Sequence, residues 1–311
     1  MTIAQCKLVC IAIPTYRRVD RLKSLLDELV RQTLPSGVVV SVAVFDNDPE
    51  GGARTAVLTR REAYKFPLHY TLVPKAGLSE VRNAALAFGS RTAQFIAMID
   101  DDETPEPQWL SELLRVCEDS ASDAVIGPVP RQFPTGAPQW LRAGGFFDDI
   151  PARADGSFVH EGHTGNCLLR VSSLNRMRIN FDASMNLSGG EDVLFFRELV
   201  ARGGRIAYAA HARAVELVDS ERLTPAHVML RNLRTGNTLA HCDRKLRRGF
   251  VPLSTRLVKG FGRLTLGALE LLPRTALYGF RGTMTAVCAF LRGCGMILGV
   301  AGVRVLEYRR Q

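Results

Sequence analysis

The 311-residue chain is 46% apolar and 23% charged, a composition that excludes disorder and provides for one large domain or one domain with an extension. Seven cysteines without a Cys-x-x-Cys pair, and no apparent N-terminal signal peptide, argue against a disulfide framework or zinc site and for a reducing, cytosolic setting. The formal net charge of +9 is unevenly spread: residues 222–311 hold 16 Lys/Arg against 3 acidic residues, and residues 1–221 hold 24 against 28.

Leu8–Ile13 is an apolar run ending at Pro14-Thr15-Tyr16-Arg17-Arg18, which predicts a buried first strand and a loop. Leu22, Leu25, Leu26, Leu29 and Val30 then recur at helical spacing. A second strand is expected over Val38–Phe45, ending at Asp46-Asn47-Asp48, followed by a helix over 52–64 and a third strand over Leu68–Val73. Gly77–Phe88 reads as a helix, Phe95–Ile99 as a fourth strand, 107–118 as a helix and Ala124–Val129 as a fifth strand. Strands alternating with helices imply an α/β fold with a mostly parallel, doubly wound sheet. Neither Gly-x-Gly-x-x-Gly nor a P-loop follows any of these strands, so basic side chains and a cation would have to hold the phosphates of a nucleotide.

The fourth strand stops on Asp100-Asp101-Asp102-Glu103. Ligands of open α/β sheets sit at the carboxyl ends of strands, and three adjacent like charges require a counter-charge. Asp100 and Asp102 point the same way in extended backbone, about 7 Å apart, a spacing that suits one hard divalent cation. On these residues alone the run reads either as that cation site or as a solvated acidic turn ahead of a helix.

Residues 131–190 are rich in glycine and proline and resist assignment, apart from a strand over Cys167–Val171. His160 and His163 have no cysteine or acid cluster to complete a zinc site. Ser188-Gly189-Gly190-Glu191-Asp192 opens a helix, with Ser188 and Glu191 at capping-box spacing and Asp192 the carboxylate left over. Two short strands over Arg205–Tyr208 and Ala212–Val218 precede a helix over Pro225–His241. Its Arg231 and Arg234 form either a solvated face or a diphosphate clamp.

Six pieces in order now carry a resemblance: Ile13-Pro14-Thr15-Tyr16-Arg17, Phe45-Asp46-Asn47, Gly77 through Asn83, Ile99 through Glu103 with Pro107, Thr164-Gly165-Asn166, and Gly190-Glu191-Asp192. Together they cover about residues 8–240 and resemble the inverting family 2 glycosyltransferases of GT-A fold, especially the glucosyltransferases of succinoglycan-type bacterial exopolysaccharides. That resemblance implies a GT-A glycosyltransferase domain over 1–245. Pro14 and Tyr16 would line the nucleobase pocket, Asp46 would bond the base or ribose, and Lys75 and Arg82 would approach the nucleotide. Asp100 and Asp102 would hold Mg²⁺ or Mn²⁺, with Asp101 at the ribose and metal edge. Gly165 and Asn166 would shape the sugar cleft, and Asp192, or less plausibly Glu191, would be the catalytic base. The implied reaction moves a hexose, glucose from UDP-glucose, onto a polyprenyl-diphosphate-linked oligosaccharide.

Residues 246–311 form the expected C-terminal apolar and basic helical extension. Leu264–Leu272 and Thr283–Val303 are strongly apolar, with Arg281, Arg292 and Arg304 flanking or interrupting the second stretch. An arginine near its middle makes a simple span costly, and the glycines at 293, 295, 299 and 302 suit close helix packing. Helices at the interface are therefore expected, placing the enzyme at the cytoplasmic face of the plasma (inner) membrane as a peripheral or monotopic protein. The alternative is a helical pair packed on the core. Nucleic acid is not an expected partner, because aromatic interleaving is sparse. Two rival readings of the whole chain are a non-catalytic sugar-nucleotide-binding membrane scaffold and a metal-dependent nucleotidyltransferase. The intact acids disfavour the first, and the Pro-Thr-Tyr-Arg-Arg loop, lacking glycine, disfavours the second.

Overall fold

The computed structural model describes residues 6–147, 151–246 and 250–306. Its strands are β1 (Lys7–Thr15), β2 (Val38–Asp46), β3 (Leu68–Leu72), β4 (Phe95–Ile99), β5 (Glu103–Pro105), β6 (Ala124–Ile126), β7 (Arg131–Gln132), β8 (Phe158–Val159), β9 (Asn166–Arg170), β10 (Ile206–Tyr208) and β11 (Ala214–Leu217). The α-helices are α1 (Val19–Leu29), α2 (Arg54–Leu58), α3 (Leu78–Thr92), α4 (Trp109–Asp119), α5 (Gln139–Arg142), α6 (Val171–Met177), α7 (Glu191–Ala201), α8 (Pro225–Leu246) and α9 (Phe250–Val300). They fall into two compact units. The first is Met1–Pro130, Ile150–Asn186 and Leu194–Glu216; the second is Arg131–Asp149, Leu187–Val193 and Leu217–Gln311.

The first unit is built on a sheet of order β3-β2-β1-β4-β9-β6-β10-β8. Four pairings are parallel and three antiparallel. Alternation along the strands feeds two cores. Val9, Ile11 and Ile13 of β1 pack with Leu22, Leu25, Leu26 and Leu29 of α1 and with Trp109, Leu110 and Leu113 of α4. Cys10 and Ala12 face the other way, toward Val81 and Ala85 of α3 and Phe195, Phe196 and Leu199 of α7. Each fully buried leucine of α1 contributes about 1.5–3 kcal/mol by leaving water. Helices on both faces of the sheet are the doubly wound arrangement expected from the alternation of elements.

Several expected elements are shorter than their sequence windows. The helix expected over 52–64 is confined to Arg54–Leu58, because residues 61–63 are exposed and offer no apolar face to hold further turns. The fifth strand stops at Ile126, ahead of Gly127-Pro128, where proline has no N–H for a ladder. The strand expected at Cys167–Val171 is β9, and it runs antiparallel between β4 and β6. Asn186 closes the start of α3 by accepting from the Ser79 backbone N–H at 3.0 Å. Gly77 permits this approach: its φ is +133°, and an added Cβ would lie 2.3 Å from the Asn186 side chain.

In the second unit, α9 is a helical hairpin. Gly279 has φ 57° and ψ −140°, a conformation that glycine adopts readily, and it separates arms 250–278 and 280–300. The Thr275 and Thr283 hydroxyls meet at 2.9 Å across the turn. Farther along, an added Cβ on Gly293 would lie 2.6 Å from the Gly260 carbonyl. The second arm also packs closely on α8: a Cβ on Gly236 or Gly295 would come within 2.0 Å of a facing backbone carbonyl. Met284 and Cys288 join Leu141, Phe147, Val218 and Val228 in a small core. Among the described residues, α9 is the one helix long and apolar enough to cross a membrane by length and composition.

His227 of α8 stacks on Phe147, with ring centroids 6.1 Å apart. Its pKa is lowered to about 4, first by burial and then by Arg222, Arg234 and Arg231. The neutral ring is thus the stable one in the fold, so this site favours folding above about pH 6.5 and loses that contribution as pH falls toward about 4. His227→Phe keeps the stack and removes the titration. Between pH 7 and pH 5 its thermal midpoint is expected to fall less than that of the wild type, as measured by circular dichroism.

Candidate active site

The acids predicted at the end of β4 form the centre of a charged cluster in the first unit. β4 itself is wholly buried, so Asp100, Asp101 and Asp102 emerge from the core together. The counter-charges come from the segment after β1 and from α3. Arg18 bridges Asp101 and Asp102, with its guanidinium 3.2 Å and 2.8 Å from their carboxylates. Arg21 lies 3.6 Å from Asp102, and Arg82 lies 3.5 Å from Asp100. Arg82 is itself buried and sits 6.0 Å over the Phe181 ring.

Asp101 is nearly enclosed. Burial pushes its carboxyl up to about 6, against the lowering effects of the Thr15 hydroxyl and Arg18. The Thr15 hydroxyl donates to it at 2.7 Å. Glu103, also buried, lies beside Gly165, where an added Cβ would be 2.2 Å from the Glu103 carboxylate and 3.3 Å from that of Asp100. Thr164-Gly165-Asn166 therefore carries glycine because its backbone presses directly against the acids.

Two of the expected site residues are held by internal partners. Asp46 is fully buried and accepts from the Asp48 N–H at 3.0 Å, the Ala53 N–H at 2.9 Å and the Tyr70 hydroxyl at 3.0 Å. Its carboxylate holds the loop after β2. Asn166 is likewise fully buried. Its carbonyl accepts from the Trp109 indole at 2.7 Å, and its amide donates to the Pro128 and Ala212 carbonyls at 3.0 and 2.7 Å. It fixes the wall behind the acids and has no donor left for a sugar.

The other expected residues are more available. Tyr16 is exposed and stacks its ring under Arg17, 5.2 Å from the guanidinium, and Pro14 is partly exposed at the end of β1. Lys75 is exposed and paired with Glu80 at 2.7 Å. Glu191 and Asp192 open α7, with Glu191 buried and Asp192 partly exposed. The Val193 N–H donates to the Asp192 carboxylate at 2.7 Å. Arg231 lies over the Phe147 ring at 5.6 Å. Sequence reasoning did not single out Arg18, Arg21 or Thr15. The need for counter-charge beside three aspartates, together with the Arg17-Arg18 pair after β1, was a signal that could have found the arginines.

The donor set fits a small hard cation. Asp100 is one-third exposed, at 33% for its side chain, and offers oxygen ligands. Among the described residues no group of three His, Cys, Asp or Glu side chains forms a cage. Mg²⁺ or Mn²⁺ held by one or two carboxylates, with phosphates and water completing its shell, needs no such cage.

The sheet is covered on both faces, and acids and arginines meet at its strand ends. The sequence profile described as Glycosyl transferase family 2 matches residues 10–178. The succinoglycan biosynthesis protein ExoM of Rhizobium meliloti (strain 1021) is 35% identical over 228 residues, covering 73% of this chain and 72% of ExoM. The chain therefore belongs to glycosyl transferase family 2.

Solved structures share the fold. The mannosyltransferase PcManGT from Pyrobaculum calidifontis, in complex with GDP-Man and Mn²⁺, matches with a TM-score of 0.67 at 17% identity, over 95% of this chain and 88% of that one. Residues 1–349 of S. aureus TarS, in complex with UDP-GlcNAc, match with a TM-score of 0.54 at 16% identity, over 95% and 92%. Against the longer TarS structure the match spans about half of that protein, 54% of its chain.

Asn166→Ala strips the Trp109 indole and the buried Ala212 carbonyl of the Asn166 side chain and removes one of two donors to the Pro128 carbonyl. A stability loss of about 3 kcal/mol or more is expected, read from urea unfolding. A loss below about 1 kcal/mol would contradict the positioning role given to Asn166.

Proposed function

We propose that this chain is an inverting hexosyltransferase of exopolysaccharide biosynthesis. It takes glucose from UDP-glucose and adds it to a polyprenyl-diphosphate-linked oligosaccharide at the cytoplasmic face of the plasma (inner) membrane. Residues 1–245 would be the catalytic domain and 246–311 the membrane-associating region. One observation carries the reading: the carboxylates of Asp100 to Asp102 and the guanidinium groups of Arg18, Arg21 and Arg82 share one rim of the sheet. Such a rim suits a nucleoside diphosphate and its cation. The relationship to ExoM supports the pathway. The UDP-GlcNAc and UDP complexes of TarS support a sugar-nucleotide donor.

In this reading Pro14 and Tyr16 line the base pocket, and Lys75 and Arg82 meet the phosphates. Asp46 and Asn166 support the site from behind. Bound by Asp100 and Asp102, with Asp101 at its edge, Mg²⁺ or Mn²⁺ would neutralise charge on the leaving diphosphate. Arginines already paired with those acids would be free to turn toward the phosphates, since bidentate guanidinium geometry matches both partners. A sugar hydroxyl is a poor nucleophile at neutral pH, so a carboxylate must take its proton as the new bond forms. Asp192 is assigned that role, with Glu191 as the alternative. In-line attack, with no enzyme nucleophile, inverts the anomeric centre.

The decisive experiment offers labelled UDP-glucose, UDP-GlcNAc and GDP-mannose to the purified protein with membranes that carry lipid-linked acceptors. Transfer is expected from UDP-glucose, lost on chelation and restored by Mn²⁺ or Mg²⁺. Asp192→Asn is expected to cut transfer by about 10²–10⁴-fold while leaving UDP affinity within about twofold of wild type, as read by calorimetry. Equal loss of binding and transfer would remove Asp192 from the role of base.

A further inference from the structure

We infer that the outward side of the first arm of α9 is a membrane-binding face that lies flat in the headgroup region of an anionic bilayer. A lipid-linked acceptor, as proposed above, gives such a face its purpose; its chemistry stands on the hairpin alone. Positions 251, 255, 258, 262, 265, 269, 272 and 276 follow one another at three- and four-residue spacing, and every one is exposed. Residues so spaced form a single stripe along a helix. None of these positions carries a charge: Val251, Val258, Leu269, Leu272 and Ala276 are apolar, and Thr255, Gly262 and Thr265 lie between them. On or beside the stripe stand Val251, Val258, Phe261, Leu269, Leu272 and Leu277, each between 58% and 80% exposed. From Val251 to Leu277 the stripe runs for about 39 Å at 1.5 Å per residue. Water-facing helices ordinarily place their charges on such a side, and soluble proteins rarely leave a long apolar stripe uncovered.

Charge decides what covers it. Lys259 and Arg263 are exposed along the arm, and Arg274 and Arg281 stand near the turn at Gly279. The one acid among residues 250–300, Glu270, is paired with Arg274. Anionic headgroups complement this rim, whereas a second copy of the chain would bring the same cations against each other.

The geometry also favours lying along the surface over crossing. A spanning helix is apolar all round, but here Lys259 and Arg263 are exposed partway along the arm. The second arm is engaged elsewhere, with Met284, Ala286, Cys288 and Met296 buried within the protein. Because Gly279 turns the chain back, the long apolar stretch is two packed arms and not one straight segment.

Flotation of the full-length protein with phosphatidylcholine vesicles, with and without phosphatidylglycerol, tests the face. Wild type is expected to float with the anionic vesicles, and the double variant Leu269→Glu, Leu272→Glu to bind them about tenfold or more weakly. Circular dichroism and UDP binding of that variant should match wild type. Val258→Trp and Leu272→Trp report orientation: equal quenching by brominated lipid is expected, and markedly unequal depths would overturn the flat arrangement. Undiminished flotation of the double variant would overturn the face itself. So would a wild-type dimer that the variant abolishes without any change in vesicle binding. Transfer to a detergent-solubilised acceptor separates the two proposals. If it proceeds while wild type ignores vesicles, the membrane face fails and the enzyme reading stands. If it is absent while flotation is normal, the enzyme reading fails and the face stands.

Discussion

Three carboxylates released together from the end of a buried strand repel one another, and the first unit is arranged to offset that repulsion. Thr15 and Arg18 arrive from the end of β1, Arg21 from α1 and Arg82 from α3. Each can reach because β1 lies next to β4 in the sheet and α3 packs across β1 and β4. The same constraint explains the second tier. Gly165 lets backbone pass close to Glu103 and Asp100, and Asn166 pins that backbone through Trp109, Pro128 and Ala212. A site that concentrates both signs of charge in a small volume is prepared to exchange internal ion pairs for external ones. Under the proposed function, an incoming cation and an incoming diphosphate would each replace what the other displaces.

Much of this was legible in the chain itself, for physical reasons that differ by element. β1, β2 and β4 are continuous apolar runs because helices cover both faces, and no amphipathic helix produces such a run followed at once by charge. The leucines of α1 show their spacing openly. The direction of β9 was not legible, since side-chain alternation is the same for either strand direction and only the connections decide it. The roles of Asp46 and Asn166 were also hidden. Both residue types bind ligands and brace loops equally well, and only the folded chain brings Tyr70 to Asp46 and Trp109, Pro128 and Ala212 to Asn166.

The C-terminal helices divide in the same way. Their glycines announced close packing, and the packing is there, between α8 and the second arm and between the two arms. The reversal at Gly279 was not legible. A glycine in an apolar stretch is as consistent with a helix seam as with a turn, and its neighbours Tyr278 and Phe280 carry no turn chemistry. What distinguishes the arms is burial: one is shut against α8 and the small core around Phe147, the other presents its side chains outward.

The seam of that hairpin and its outer side should tolerate change under opposite rules. Where backbone meets backbone at Gly236, Gly293 and Gly295, even one methyl group has nowhere to go, so drift at these positions is closed off. On the outer side size hardly matters and only polarity does, so leucine, valine, phenylalanine and isoleucine should trade places freely. The hairpin is then a part whose inner face is written in shape and whose outer face is written in solubility.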